Sequence, residues 1–164
     1  MLNNKKVFDV LTPMSDFHRT SYRIKDRDGF SIDKGYWAKM TNEGLVKLDD
    51  TASGISVLCL NDAIDKANPR SSYEANDVKV GNMTAIQMPG IRVVAGESFF
   101  KAPAAWDNSE YNSGVALKVI ISGPDTGKLE PTTPGAGDYA NAIIESVDNK
   151  NKQITYVLMM GLIG

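Results

Sequence analysis

One cysteine (Cys59) and one histidine (His18) stand among 164 residues. A lone cysteine closes no disulfide within the chain, so nothing implies an oxidising compartment. The two together are too few for a tetrahedral Cys/His zinc site. Ser-His-Asp or Cys-His machinery would have to run through His18 alone. Long apolar runs are missing as well: none approaches the ~20 residues of a membrane-spanning helix. In the opening MLNNKKVFDVLTPM, Asp9, Thr12 and Pro13 interrupt the stretch after the two lysines, which argues against a signal peptide. Eighteen Lys/Arg nearly balance twenty Asp/Glu, for a net of -2, so no strongly basic nucleic-acid binder is indicated. The expected setting is a cytosol, or an assembly built in one.

Hydrophobic residues make up 42% and charged residues 23%, the composition of a globular chain that can bury a core. Glycine is unevenly placed. Residues 1–34 hold only Gly29, and the other thirteen glycines lie from Gly35 onward. Residues 1–34 carry seven Lys/Arg and five Asp, a net of +2, whereas residues 35–164 carry a net of -4. A boundary at Lys34–Gly35 is therefore expected, with an arm over 1–34 and a body over 35–164. The first segment reads either as an extended arm that orders against another surface, or as a strand and loop packed on the body.

From Gly35 the pattern is one of strands and turns. Gly35 to Met40 and Leu45 to Leu48 flank a Gly-ended turn and read as a hairpin. Ile55 to Leu60 becomes continuously apolar, as a strand buried on both faces does. Asn61 to Lys66 is compatible with one short helical turn, ended by Asn68-Pro69. Met83–Met88 alternates at period two, Pro89-Gly90 turns, and Ile91–Ala95 returns. Val115–Ile121, Lys128–Glu130, Ala140–Val147 and Gln153–Met160 supply further strands, although Ala140–Val147 also suits a short helix. Short strands and Gly/Pro turns predict an all-β barrel or sandwich. A faint echo links WAKM…GLVKL…ISVLCL to LKVII…GKLEP…ANAIIESV.

No motif carries chemistry convincingly. Gly123-Pro-Asp-Thr-Gly127-Lys128 has too few residues between its glycines for a phosphate loop, and Leu129 stands where Ser or Thr would bind magnesium. Asp26-Arg27-Asp28-Gly29 and Asp148-Asn149-Lys150-Asn151 lack calcium-loop spacing and read as turns. Cys59 sits in an apolar strand as a core residue. Asp49-Asp50 and Asp107/Glu110 are carboxylate pairs, but in stretches where Asp serves turn geometry. Tyr36, Trp37, Tyr73, Phe99, Phe100, Trp106 and Tyr111 would suit either a sugar-stacking face or a core. The stretch Val157 to Gly164 is wholly apolar, so it is expected to be buried in its own fold or against a partner.

Three blocks carry a resemblance: GYWAKM…GLVKL, then MPGIRVVAGESFF, then VALKVIISG…GKLEP…GDYANAIIESVD…KQITYVLM. Over roughly residues 35–160 the chain resembles the capsid decoration (cement) proteins of tailed bacteriophages, of the β-tulip type related in fold to the phage lambda head decoration protein. The resemblance implies an all-β fold: a small β-barrel or β-tulip body with an extended N-terminal arm and at most one short helix. It implies a non-enzymatic virion protein on the outer capsid surface, binding the major capsid protein as a homotrimer at three-fold or quasi-three-fold positions. No cofactor or metal, and no nucleic-acid or membrane partner, is expected. Aromatic and Arg residues anchor buried contacts, so the expected capsid-binding set is Phe8, Leu11, Phe17, Arg19, Tyr22, Arg23 and Phe30. The expected self-association set is Leu158, Met159, Leu162 and Ile163. The alternative is a carbohydrate- or receptor-binding β-module of a phage tail or surface structure.

Overall fold

A computed structural model describes residues 4–13, 20–23, 34–42, 44–49, 55–60, 82–86, 89–101, 110–132 and 138–163. The fold is all-β, with two antiparallel sheets. Helical geometry among the described residues is limited to single 3-10 turns at Asn4–Lys6 and Glu97–Phe99. The chain divides into two compact units, one of Met1–Phe17 with Met88–Gly164 and one of His18–Gln87.

The first unit holds a six-stranded sheet in the order β1-β7-β11-β10-β8-β9. Its strands are β1 (Phe8–Val10), β7 (Arg92–Gly96), β8 (Ala116–Val119), β9 (Leu129–Thr132), β10 (Asp138–Asp148) and β11 (Gln153–Ile163). Register and alternation put Val93, Ala95, Leu117, Val119, Leu129, Ala142, Ile144, Ile154, Tyr156 and Leu158 on one face, and all are buried. Phe100 extends this core, its ring edge-on to Tyr111 at 5.9 Å and to Tyr156 at 6.0 Å. The β10–β11 hairpin closes on Asp148, whose Oδ1 accepts from the Lys150 and Asn151 amides at 3.0 and 3.1 Å. Lys152 follows at φ 54°, the left-handed step that completes the turn.

Two irregularities bend this hairpin. Between Ile144↔Tyr156 and Ser146↔Thr155, β10 advances two residues against one on β11, which makes Glu145 the extra residue. Between Ala140↔Gly161 and Ala142↔Leu158 the surplus lies on β11, at Met159 and Met160.

The second unit holds a five-stranded sheet in the order β2-β6-β5-β3-β4. Its strands are β2 (Thr20–Arg23), β3 (Trp37–Thr41), β4 (Gly44–Val46), β5 (Ile55–Cys59) and β6 (Asn82–Ile86). Val57, Leu58 and Cys59 are all fully buried, so central β5 is covered on both faces, as its unbroken apolar run predicts. Gly44, at φ 137°, permits the tight return from β3 to β4.

Neither sheet closes into the expected barrel among the described residues. In the five-stranded sheet the edge strands β2 and β4 bring Cα atoms within 8 Å of one another, without a ladder between them. Strands of four and three residues are too short to carry the staggered seam that closure requires.

The division at Lys34–Gly35 is not the one the chain contacts draw. Residues 1–34 contribute a strand to each sheet, β1 on β7 and β2 on β6. Strand pairing across ~60–90 residues of sequence leaves no local glycine or charge signature. The helical turn expected at Asn61–Lys66 lies outside the described residues. The sequence echo has a structural counterpart: β3 pairs with both β4 and β5, and β8 pairs with both β9 and β10. Each unit thus contains one three-strand motif with its short second strand at the edge.

Lys39 is 4% exposed on β3, and its Nζ donates to Asp49 Oδ1 at 2.6 Å. A buried ammonium is costly to strand and cheap to replace by an apolar chain. Asp49→Ala is expected to destabilise by about 1–2 kcal/mol, discounted because Asp49 is half-exposed, whereas Lys39→Met is expected to be near neutral. Urea melts of the two variants check the asymmetry; equal losses would contradict it.

Candidate interaction surface

The outward face of the six-stranded sheet carries a paired charge set in apolar surroundings. Arg92 on β7, Val157 on β11 and Ile143 on β10 form one row by register. The Glu145 bulge re-aims its carboxylate back across β11 to Arg92. Arg92 Nε donates to Glu145 Oε2 at 2.7 Å and Nη2 to Oε1 at 2.5 Å, a two-pronged contact between exposed groups. The hydrogen bond from Arg92 is the chief cause that holds the Glu145 carboxyl below its ordinary value, and the same contact raises Arg92. Asp148 is lowered by its Asn151 hydrogen bonds first of all. A pH titration followed by carboxyl NMR should therefore find both Glu145 and Asp148 titrating below the usual carboxylate range. Ordinary values at both would refute the Arg92 contact and the turn in solution. The contribution to folding is present above the unfolded carboxylate value and lost as pH falls through the lowered one.

Leu11 joins this surface. Its amide donates to the Arg92 carbonyl at 2.8 Å, and the Arg92 amide donates to Thr12 Oγ1 at 2.8 Å. Leu11 is 42% exposed and Ile143 36%, with Val94, Val157 and Met159 half-buried. Alternation alone turns Arg92 outward, but its pairing with Glu145 depends on a bulge and on register. The sequence shows neither, so Arg92, Ile143, Glu145 and Val157 escape a reading of residues 1–34 as the contact.

The remaining expected residues are scattered. Phe8 is half-buried, with its ring 5.7 Å from that of Phe99, and so anchors β1 to its own unit. Tyr22 and Arg23 belong to the other unit, on β2 opposite Met83 and Asn82. Phe17, Arg19 and Phe30 lie outside the described residues, as does His18. Of the self-association set, Leu158 is 3% exposed and packed within its own chain. Met159 is half-buried, and Leu162 and Ile163 extend β11 opposite Tyr139 and Asp138.

Other candidates resolve into structure. The Gly123–Lys128 segment is a turn between β8 and β9, with the Gly127 amide on the Ile120 carbonyl and Lys128 Nζ on Asp125 Oδ1 at 3.0 Å. Trp37, Phe99, Phe100 and Tyr111 are buried, so they are core rings and do not form a sugar-stacking face. Trp106 and Tyr73 lie outside the described residues. No group of three or more His, Cys, Asp and Glu suited to a metal occurs among the described residues. No family model, curated protein or solved structure matches the chain.

Proposed function

We propose that this chain is a structural virion protein that binds the outer surface of an icosahedral phage capsid and stabilises it. The observation that supports the reading most is the outward sheet face: Leu11, Ile143 and Val157 around the exposed Arg92–Glu145 pair. Apolar side chains beside an Arg fork are what a buried protein contact uses at its centre. A rigid sheet presents them with little ordering on binding. Many copies on one shell would let modest single contacts hold together. The partner is the major capsid protein, and self-association occurs at three-fold or quasi-three-fold positions.

The test is co-sedimentation with purified shells. Removing residues 2–30 would delete β1 and β2 and injure both sheets, so single outward substitutions serve better. Leu11→Asp and Ile143→Asp are each expected to weaken shell binding by roughly 30-fold or more, the size of one hot-spot loss. Both variants should melt within about 0.5 kcal/mol of the parent. Wild-type protein that neither binds shells nor raises their resistance to heat would refute the proposal.

A further inference from the structure

We infer that the outer half of the β10–β11 hairpin joins copies of this chain, β11 of one copy lying antiparallel beside β10 of the next in a closed ring. The inference rests on the self-association within the proposed function, and it names the strands and symmetry of that contact.

The hairpin outruns its sheet. On one side, β7 pairs with β11 over Gln153–Val157, and the ladder ends where the Gly90 amide donates to the Leu158 carbonyl at 2.9 Å. On the other side, β8 pairs with β10 only at Ala142 and Ile143. The next step of that ladder is diverted, because the Val119 amide donates to the Asn141 side chain at 3.0 Å. Beyond these points Asp138–Ala140 and Gly161–Ile163 pair only with one another among the described residues. A two-stranded ribbon is marginal in water by itself.

The other edges are guarded, whereas the one charge on this ribbon is Asp138, at its outermost pair on the β10 side. β1 and β4 are three residues long, β2 is four and ends in Arg23, β1 carries Asp9, and β9 carries Glu130 and Pro131. From Gln153 to Gly164 there is no charged residue and no proline. Nothing in this stretch discourages a further strand.

Both sides of the ribbon are open among the described residues, and a second copy fits them. Within one ribbon the strands run antiparallel, so rotation about an axis along the ribbon sets β11 of one copy beside β10 of the next, again antiparallel. Two ribbons would make a barrel too tight to close, and three make the smallest ring with room for side chains. A two-fold β11–β11 pair would leave both β10 edges open.

Cross-linking between differently marked copies reads this out. Copies bearing Tyr139→Cys are mixed with copies bearing Leu162→Cys or Ile163→Cys, free and on shells, and oxidised mildly. Tyr139 and Leu162 stand at one height in the hairpin register, and a rotation preserves height. Disulfide-linked pairs are expected in the mixtures and not from either variant alone. The parent, whose only thiol is the buried Cys59, is the control. Leu162→Lys, which puts a guarding charge on the edge, should shift the mass by light scattering from trimer to monomer with its circular dichroism intact.

Dimers from Leu162→Cys alone would show two-fold pairing and overturn the ring. Protein that binds shells yet gives no mixed cross-link, free or bound, would also overturn it while leaving the shell reading intact. Failure to bind shells would sink the shell reading, and the cross-links in free solution would still decide the ring.

Discussion

Tyr156→Ala is expected to destabilise the first unit by about 3–5 kcal/mol, whereas Tyr156→Phe is expected to stabilise it by about 1 kcal/mol. Tyr156 is fully buried at the middle of β11, paired with Val93 on one side and Ile144 on the other. Its ring meets the edge of Phe100, which in turn meets Tyr111. Alanine would empty that site and take from Phe100 one of its two ring neighbours, and strands in register on both sides cannot collapse into the space. The hydroxyl works against the ring. It is buried and has no hydrogen-bond partner among the described residues, so folding strips its water and returns nothing there. Phenylalanine keeps the ring and removes that penalty. Burial also pushes the Tyr156 phenol upward. The unfolded chain releases this proton near pH 10 and the fold does not, so stability falls by up to ~1.4 kcal/mol per pH unit above that point. Tyr156→Phe should flatten that alkaline decline as well as raise the midpoint in urea. A loss of more than about 1 kcal/mol in the phenylalanine variant would mean that the hydroxyl has a partner.

The strands were legible because local pattern carries them. Leu45 to Val46 returning on Lys39 and Met40, the apolar block at Ile55–Cys59, and Arg92–Gly96 after Pro89-Gly90 all follow from alternation and turn residues. Ala140–Val147 could be read as strand or helix. Its pairing with β11 and β8 makes it strand, because tertiary partners outweigh the helix preference of alanine and glutamate. Both hairpin strands run past their sequence bounds, to Asp138 and to Ile163, since ladder pairing continues where the apolar period does not mark it.

The surface was less legible. Leu11 could be picked out as an apolar residue in a polar segment, yet its place beside Arg92 depends on an edge strand annealing across some eighty residues. Glu145 looks like an ordinary outward strand residue until the bulge turns it toward Arg92. Phe8 shows the reverse case. An aromatic in a polar arm suggests a partner contact, and the partner that it meets is Phe99 of its own unit. Composition records which side chains could anchor a contact; pairing register decides which of them remain outside.

The single cysteine makes the second unit measurable by itself. Cys59 closes β5, at the centre of the five-stranded sheet, with no exposed surface. Burial pushes its thiol far above the ordinary range, so at neutral pH it is neither ionised nor reachable. Labelling by a thiol reagent must then wait for β5 to leave its neighbours β3 and β6. For an opening free energy of about 5 kcal/mol, the rate is expected to fall roughly 10³–10⁴-fold below that of the denatured chain. Leu58→Ala removes a fully buried side chain from the same strand and should cost about 2–4 kcal/mol. Where opening is at equilibrium, that loss speeds labelling of Cys59 by roughly 30- to 1,000-fold. Ile55→Ala, on the exposed end of β5, should change it less than about threefold. A thiol that reacts at the denatured rate in the native protein would show that β5 is not the covered central strand. A Leu58→Ala rate equal to that of the parent would show that labelling proceeds through local fraying at Cys59, without separation of the sheet.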